Sequence, residues 1–341
     1  MIDTSGERSR AGSAVRASFA GTGTFSRSRD QPPAMSGHEN HGFERLFGGD
    51  LSVGLFFPIT TSTEAIPPMD EQVALAQYAT ELGFDALWVR DVPLYWPKFG
   101  DAGQVYDPWV YLSHVAAHTD DVALATGSVV LPLRHPLHVA KAAASVDRLS
   151  DGRLVLGVAG GDRSPEYPAF GVDEDERGEL FRESVRVMRA AWSEEFPEVE
   201  SAYGTMDGRL DLVPKPTTET LPLLVTGNAR QSVDWIGEHG DGWLHYQMPL
   251  NTVESVVDDW REATDERKPY SQAMRVELKA DPTAGMDHVH QGFAAGSEWF
   301  VEHLRALSDR GVDHLAINVR GNDRDVRTVL EEFADEVMGE L

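Results

Sequence analysis

Cysteine is absent from all 341 residues. Its absence removes disulfides, thiolate nucleophiles, iron–sulfur clusters and Cys-ligated zinc together. Any redox chemistry must then be carried by an organic cofactor. Lysine is scarce too: Lys98, Lys141, Lys215, Lys268 and Lys279 stand beside 25 arginines, and 56 acidic residues leave a formal net charge of -26. Such a balance argues against nucleic acid or an anionic membrane as a partner. It fits a cytoplasm of very high salt, which screens self-repulsion, although an acidic GC-rich genome gives the same composition. No apolar run approaches the roughly 18 residues that span a bilayer, and residues 1–30 lack the apolar segment of a secretion signal. A cytoplasmic enzyme is the expectation.

Several motifs are also missing. There is no GxGxxG after the first strand, no GxxxxGK[ST], no HExxH and no GxSxG. His135 and His138 are spaced like metal ligands, as are His38 and His41, but the spacing alone is weak and no metal is expected.

What is present is alternation. Residues 1–34, rich in Ser, Gly, Arg and Ala, read as a disordered extension, and residues 35–341 as one domain. Strands are expected at Leu51–Phe57, Phe84–Val89, Val122–Gly127, Arg153–Ala159, Leu221–Thr226, Gly242–Tyr246, Arg275–Ala280 and Val312–Asn318. Helical periodicity follows each of them. Eight such units favour an α/β fold of the closed (β/α)8 TIM-barrel type, with a doubly wound open sheet as the alternative. Segments 193–220 and 281–295 read as irregular insertion loops at the C-terminal rim, where such barrels build their active sites.

The stretch from Thr126 to Asp162 is the most informative. A strand ends in Thr-Gly-Ser, a Pro-bounded connection leads into a helix, and Leu149-Ser-Asp-Gly-Arg153 turns into a strand ending at Gly160-Gly161. Glycines at a strand end let a flat ring or a phosphate approach the backbone closely. Tight-turn packing explains the pair equally well. The loop Gly227-Asn-Ala-Arg-Gln-Ser232 opens a helix, so its free N–H groups suit either a phosphate or an ordinary cap.

Taken together, these elements resemble the luciferase-like monooxygenases. The resemblance runs on through Tyr167-Pro-Ala-Phe-Gly-Val-Asp173, Pro222-Leu-Leu-Val-Thr-Gly227, Asp241-Gly-Trp243 and Gly311-Val-Asp-His314. It implies a (β/α)8 barrel with a flavin or deazaflavin at the C-terminal rim. It further implies a non-prolyl cis peptide at Gly127–Ser128, a flavin edge along Ala159, Gly160, Gly161 and Asp162, and a phosphate loop at Gly227, Asn228, Ala229, Arg230, Gln231 and Ser232. Two departures matter. Gly160 stands where bacterial luciferase has a phosphate-holding Arg, so Arg230 or Arg163 must supply the charge. Val92 stands where a catalytic His is found, which leaves Asp91, His135 and Tyr167 as the foremost acid–base candidates. Trp88, Trp96 and Trp109 are candidates for an aromatic pocket, and Arg177 for a structural pair with a carboxylate such as Glu183.

The function implied is an FMN-dependent monooxygenase or oxidoreductase acting on a small organic substrate, its reduced flavin regenerated by an NAD(P)H:flavin reductase. The alternatives are F420-dependent hydride transfer and a flavin-binding protein without turnover. A homodimer is the expected assembly.

Overall fold

The computed structural model describes residues 39–59, 69–99 and 106–341; the expected extension at residues 1–34 lies outside them. The elements in chain order are α1 (His41–Phe47), β1 (Ser52–Phe57), α2 (Met69–Glu81), β2 (Ala86–Val89), α3 (Pro108–Ala116), β3 (Ala123–Thr126) and β4 (Val129–Val130). Next come α4 (Pro136–Leu149), β5 (Leu154–Ala159), α5 (Glu166–Ala169), α6 (Arg177–Ser193), β6 (Glu198–Ser201), β7 (Gly204–Asp207), β8 (Leu223–Thr226), α7 (Val233–His239) and β9 (Gly242–Tyr246). The chain ends with α8 (Leu250–Glu262), β10 (Tyr270–Leu278), β11 (Asp287–Val289), β12 (Gly292–Ala295), α9 (Ser297–Ser308), β13 (His314–Asn318) and α10 (Val326–Glu332).

Eight parallel strands close on themselves in the order β1-β2-β3-β5-β8-β9-β10-β13, with β13 pairing back onto β1 through Ser52↔His314 to Leu55↔Ile317. This is the (β/α)8 barrel. Helices cover its outside, so alternate strand residues face them and form the main apolar layer, including Leu55, Leu87, Leu124, Leu156 and Ile317. The intervening residues point inward and are mostly small, among them Ala86, Ala123, Ala125 and Ala316. Trp88 fills the space they leave. Gly54 makes that possible, because a Cβ there would come within 2.7 Å of the indole nitrogen.

A short helix plugs the floor of the barrel. Asn40 caps α1 by accepting from the Phe43 N–H at 2.9 Å. Phe43, Leu46 and Phe47, each at most 3% exposed, pack against the inward strand residues. Side chains of this size contribute about 1.5–3 kcal/mol each when buried. A buried polar chain joins the plug to the barrel. The Trp88 N–H donates to His314 Nε2 at 3.0 Å, His314 Nδ1 meets Ser52 Oγ at 2.6 Å, and the Ser52 hydroxyl donates to the Leu46 carbonyl at 2.6 Å.

Three local expectations are corrected. The seventh strand begins at Tyr270 rather than Arg275, because Ser271 and Gln272 break the apolar pattern although both are fully buried. Segment 281–295 is not irregular: β11 and β12 form a hairpin, and β12 runs parallel to β10 from Arg275↔Gly292 to Leu278↔Ala295. Segment 193–220 leaves the C-terminal end of α6, on the opposite face from the rim. Its β6–β7 hairpin lies outside the barrel against α6, and its tip, at Tyr203, contacts His135 at the start of α4.

Candidate active site

The C-terminal ends of the strands converge on two adjoining cavities of about 370 and 280 Å3, which share Arg90, Gly127 and Tyr246 as a common wall. The smaller one is walled by the ends of β3, β5 and β8. Here the Gly127–Ser128 peptide is cis, and the Ser128 and Thr226 hydroxyls are hydrogen-bonded to each other. The Thr126 hydroxyl donates to the Gly157 carbonyl at 2.7 Å, tying β3 to β5. A Cβ on Gly157 would sit 1.9 Å from the Thr126 carbonyl oxygen, so the strands can approach this closely only with glycine there.

The turn after β5 is held from behind. Tyr167 is 1% exposed, and its hydroxyl donates to the Gly160 carbonyl at 2.6 Å. Burial pushes its phenol above the ordinary range, against the opposing pull of Arg177, whose guanidinium lies 5.7 Å from the ring centroid. Tyr167 is therefore a protonated donor at neutral pH. Gly161 follows in the left-handed region at φ 84°, and a Cβ there would come within 2.6 Å of that hydroxyl.

Across the cavity, the loop after β8 is turned by three left-handed residues, Gly227 (φ 56°), Ala229 (φ 45°) and Arg230 (φ 62°), with Asn228 between the first two. Positive φ in two non-glycine residues is a strained arrangement, of order 1–3 kcal/mol each. Gln231 holds it in place: its amide donates to the carbonyls of Ala229 at 2.8 Å and Gly178 at 2.9 Å, and Arg182 donates to its oxygen. The result faces Gly227, Ala229 and Arg230 into the cavity opposite Ala159, Gly160, Gly161 and Asp162. Arg163 and Arg177 line the same space.

Of the fifteen residues expected as acid–base candidates, cis peptide, flavin edge or phosphate loop, ten line this cavity: Asp91, Gly127, Ser128, Ala159, Gly160, Gly161, Asp162, Gly227, Ala229 and Arg230. The other five fall outside the cavity wall. Asn228 is exposed at the loop tip, and Gln231 and Tyr167 brace the wall from behind. Ser232 spends its hydroxyl capping the seven-residue α7 through the Trp235 N–H at 3.2 Å. His135 is an exposed N-cap of α4, accepting from the Leu137 N–H at 3.3 Å and packed against His138 and Tyr203.

Asp91 lines the cavity but is committed elsewhere. Its side chain is 1% exposed and takes two parallel bonds from Arg134, at 2.8 Å from Nε and 2.7 Å from Nη2, plus the Val130 N–H at 3.2 Å. A carboxylate fixed this way suits alignment of β4 better than proton transfer. Val92 is buried at 5% exposure. Trp88 and Trp109 belong to the barrel interior and the helix-facing core, not to a pocket. Arg177 pairs with Glu174 rather than Glu183, which pairs instead with Arg186 at 2.7 Å.

Sequence reasoning missed the larger cavity altogether. Its wall includes Phe56 from β1, Arg275 from β10, His290 and Gln291 from the β11–β12 turn, and Asn318 and Arg320 at the end of β13. These residues come from distant parts of the chain, and no spacing connects them.

The donor set suits a phosphorylated flat cofactor. Four arginines, Arg90, Arg163, Arg177 and Arg230, and a strained small-residue loop face the end of β5, where a Cβ on Gly160 would sit in van der Waals contact with the Ala229 backbone at 3.4 Å. The family model of the luciferase-like monooxygenases matches residues 51–338. An uncharacterised protein of Mycobacterium tuberculosis is 31% identical over 249 residues, covering 66% of this chain and 84% of its own length. The F420-dependent hydroxymycolic acid dehydrogenase of the same organism is 33% identical over 190 residues, 54% of this chain and 51% of that protein. The oxygenase component of a flavin-dependent trigonelline monooxygenase from Acinetobacter baylyi is 31% identical over 156 residues, covering 45% and 40%. This chain therefore spans about half or less of the length of those last two relatives. In fold, it matches an F420-dependent secondary alcohol dehydrogenase with a TM-score of 0.72 at 20% identity, covering 86% of this chain and 100% of that one. The chain belongs to the luciferase-like monooxygenase family, whose members are flavin- or F420-dependent oxidoreductases.

Proposed function

We propose that the smaller cavity holds FMN and that the chain oxidises a small organic substrate placed beside it in the larger one. The observation carrying this reading is the facing of the Gly227–Arg230 loop, with Arg90, Arg163 and Arg177, against the glycine-rich ends of β3 and β5. Arg230, with no hydrogen bond or ion pair among the described residues, and the buried Arg163 would hold the phosphate, replacing the Arg that Gly160 displaces. Gly127, Ser128, Ala159 and Gly160 would bound the ring. When bound, the flavin supplies the redox chemistry, accepting or delivering electrons at its ring. The chain's own part is to orient the ring, exclude water at the barrel mouth and keep Tyr167 as a fixed hydrogen-bond donor behind Gly160. Reduced flavin would come from a separate reductase, a reading supported by the relative named as an oxygenase component.

F420 is the second reading, favoured by the number of cations around the mouth and by the F420-dependent relatives. Releasing the ligand from purified protein separates the two, since FMN absorbs near 450 nm and F420 near 420 nm, both approximate, and their masses differ. Protein that takes up neither cofactor sinks both.

Arg230→Ala tests the phosphate assignment. It is expected to weaken FMN binding about tenfold, or about 1.4 kcal/mol, while riboflavin, which lacks the phosphate, binds equally well to both proteins. Fluorescence titration with the two ligands reads this out. An equal loss for riboflavin would place Arg230 elsewhere.

A further inference from the structure

We infer that the larger cavity is a subsite for an anionic group on the substrate, a carboxylate or a phosphate ester. Arg90, Lys98, Arg275 and Arg320 line it, and among the described residues no Asp or Glu does. Four cations in one recess of a chain with net charge -26 are not a sample of its surface. Like charges gathered in a cavity repel, and that repulsion is relieved by a visiting anion.

One of the four is built in with some care. The Arg275 guanidinium donates from Nε to the Arg320 carbonyl at 3.0 Å, and its Nη2 meets the Glu277 carboxylate at 2.6 Å. Among the described residues its other terminal nitrogen, Nη1, makes no hydrogen bond or ion pair. The Nη2 edge of the guanidinium abuts Gly321, where a Cβ would come within 1.9 Å of Nη2, and Gly321 has a left-handed φ of 92°. The Arg320 N–H in turn donates to Asn318 Oδ1 at 3.0 Å. A planar cation fixed from three sides is pre-organised for a planar or tetrahedral oxyanion, and less ordering is required when the ligand arrives. Glu277 offsets part of Arg275's charge, and Arg90, Lys98 and Arg320 line the same recess. Arg90, Gly127 and Tyr246 line both cavities, so the subsite adjoins the smaller one. An anion held at Arg275 therefore leaves the remainder of the molecule beside the ring.

The inference rests on the reading that the smaller cavity holds the cofactor. The experiment uses protein loaded with whichever of FMN or F420 it retains, titrated at constant ionic strength with acetate, inorganic phosphate and acetamide. Either anion, but not acetamide, is expected to give a saturating change in the bound cofactor's visible absorbance. The affinity should fall at least tenfold in both Arg275→Gln and Arg320→Gln. Tighter acetate points to carboxylate substrates, tighter phosphate to phosphate esters. An equal response to acetamide, or unchanged affinity in both variants, overturns the subsite. So does loss of cofactor retention in both variants with no anion binding to the loaded protein, which would assign these cations to the cofactor's own acidic tail. If neither cofactor binds, the function proposed above fails separately. Anion titration of the apoprotein by tryptophan fluorescence then still decides the subsite, and no binding there overturns it.

Discussion

Replacing Arg153 with methionine is expected to lower the unfolding free energy by about 3–5 kcal/mol, because it strands several buried acceptors that cost about 1–3 kcal/mol each when unpaired. The side chain is 8% exposed and makes five hydrogen bonds: from Nε to Ser150 O, from Nη1 to Thr119 Oγ1 and Val122 O, and from Nη2 to Ala116 O and Thr119 O, at 2.8–3.2 Å. Four of these acceptors are carbonyls at the ends of α3 and α4 and the approach to β3, which have no continuing helix to satisfy them. Methionine keeps the bulk and leaves the carbonyls buried and unpaired. Burial draws the guanidinium's pKa down, and Asp120, Asp121 and Asp151 partly restore it, so the network is balanced by surrounding charge as well as by geometry. Denaturant titration at fixed salt measures the effect. A loss below about 1 kcal/mol would contradict it, because a single exposed hydrogen bond already amounts to that. Arg153→Lys should recover little, since an ammonium cannot span five acceptors in a plane.

A second large effect is expected on acidification. His314 is fully buried, and desolvation pulls its pKa down to about 3. The hydrogen-bond chain explains why the neutral form is required. Nε2 must accept from the Trp88 N–H, which leaves the proton on Nδ1, facing Ser52 Oγ. A second proton would set N–H against N–H. With an unfolded pKa near 6.5, the folded state binds fewer protons than the unfolded state. The stability from keeping this ring neutral is fully present above pH 6.5 and is lost as pH falls from there towards the folded value. Between pH 7.5 and 5 the loss from His314 is about 2 kcal/mol. The comparison must be with His314→Gln, because acidification also relieves the repulsion of an acidic chain, and burial raises the pKa of Asp85 and Asp147, which favours folding in acid. The variant should be less stable at pH 7.5, with the gap to the parent narrowing by about 2 kcal/mol at pH 5. A gap independent of pH would show that His314 protonates without penalty.

The strands and helices can be read from the sequence because parallel barrel strands are buried on both faces, and their apolar runs stand out between charged helices. Where that rule fails, a polar residue lies in the interior. Ser271 and Gln272 hide the start of β10. The plug α1 is invisible because seven residues carry little periodicity. The proposed cofactor half of the site is legible in the same way, since glycines directly after β5 and β8 mark close backbone approach at strand ends. The roles of single side chains are not. Asp91 reads as a rim acid, yet Arg134 occupies it, and His135 reads as reactive, yet it caps α4. Those facts depend on which residues meet across the barrel, as do the cations of the second cavity.

The contrast between a whole chain of net charge -26 and a mouth where Arg90, Lys98, Arg163, Arg177, Arg230, Arg275 and Arg320 outnumber Asp91, Asp162 and Glu166 has a kinetic side. An approaching anion meets repulsion at long range and attraction only within the last several ångströms. Dissolved salt, with a Debye length of about 10 Å at 0.1 M and about 3 Å at 1 M, removes the first more effectively than the second. For this barrel, added salt up to the point of direct ion competition speeds the entry of anionic ligands, opposite to the usual slowing of charge-steered encounters. The acidic coat then works as a filter whose transparency is set by the medium.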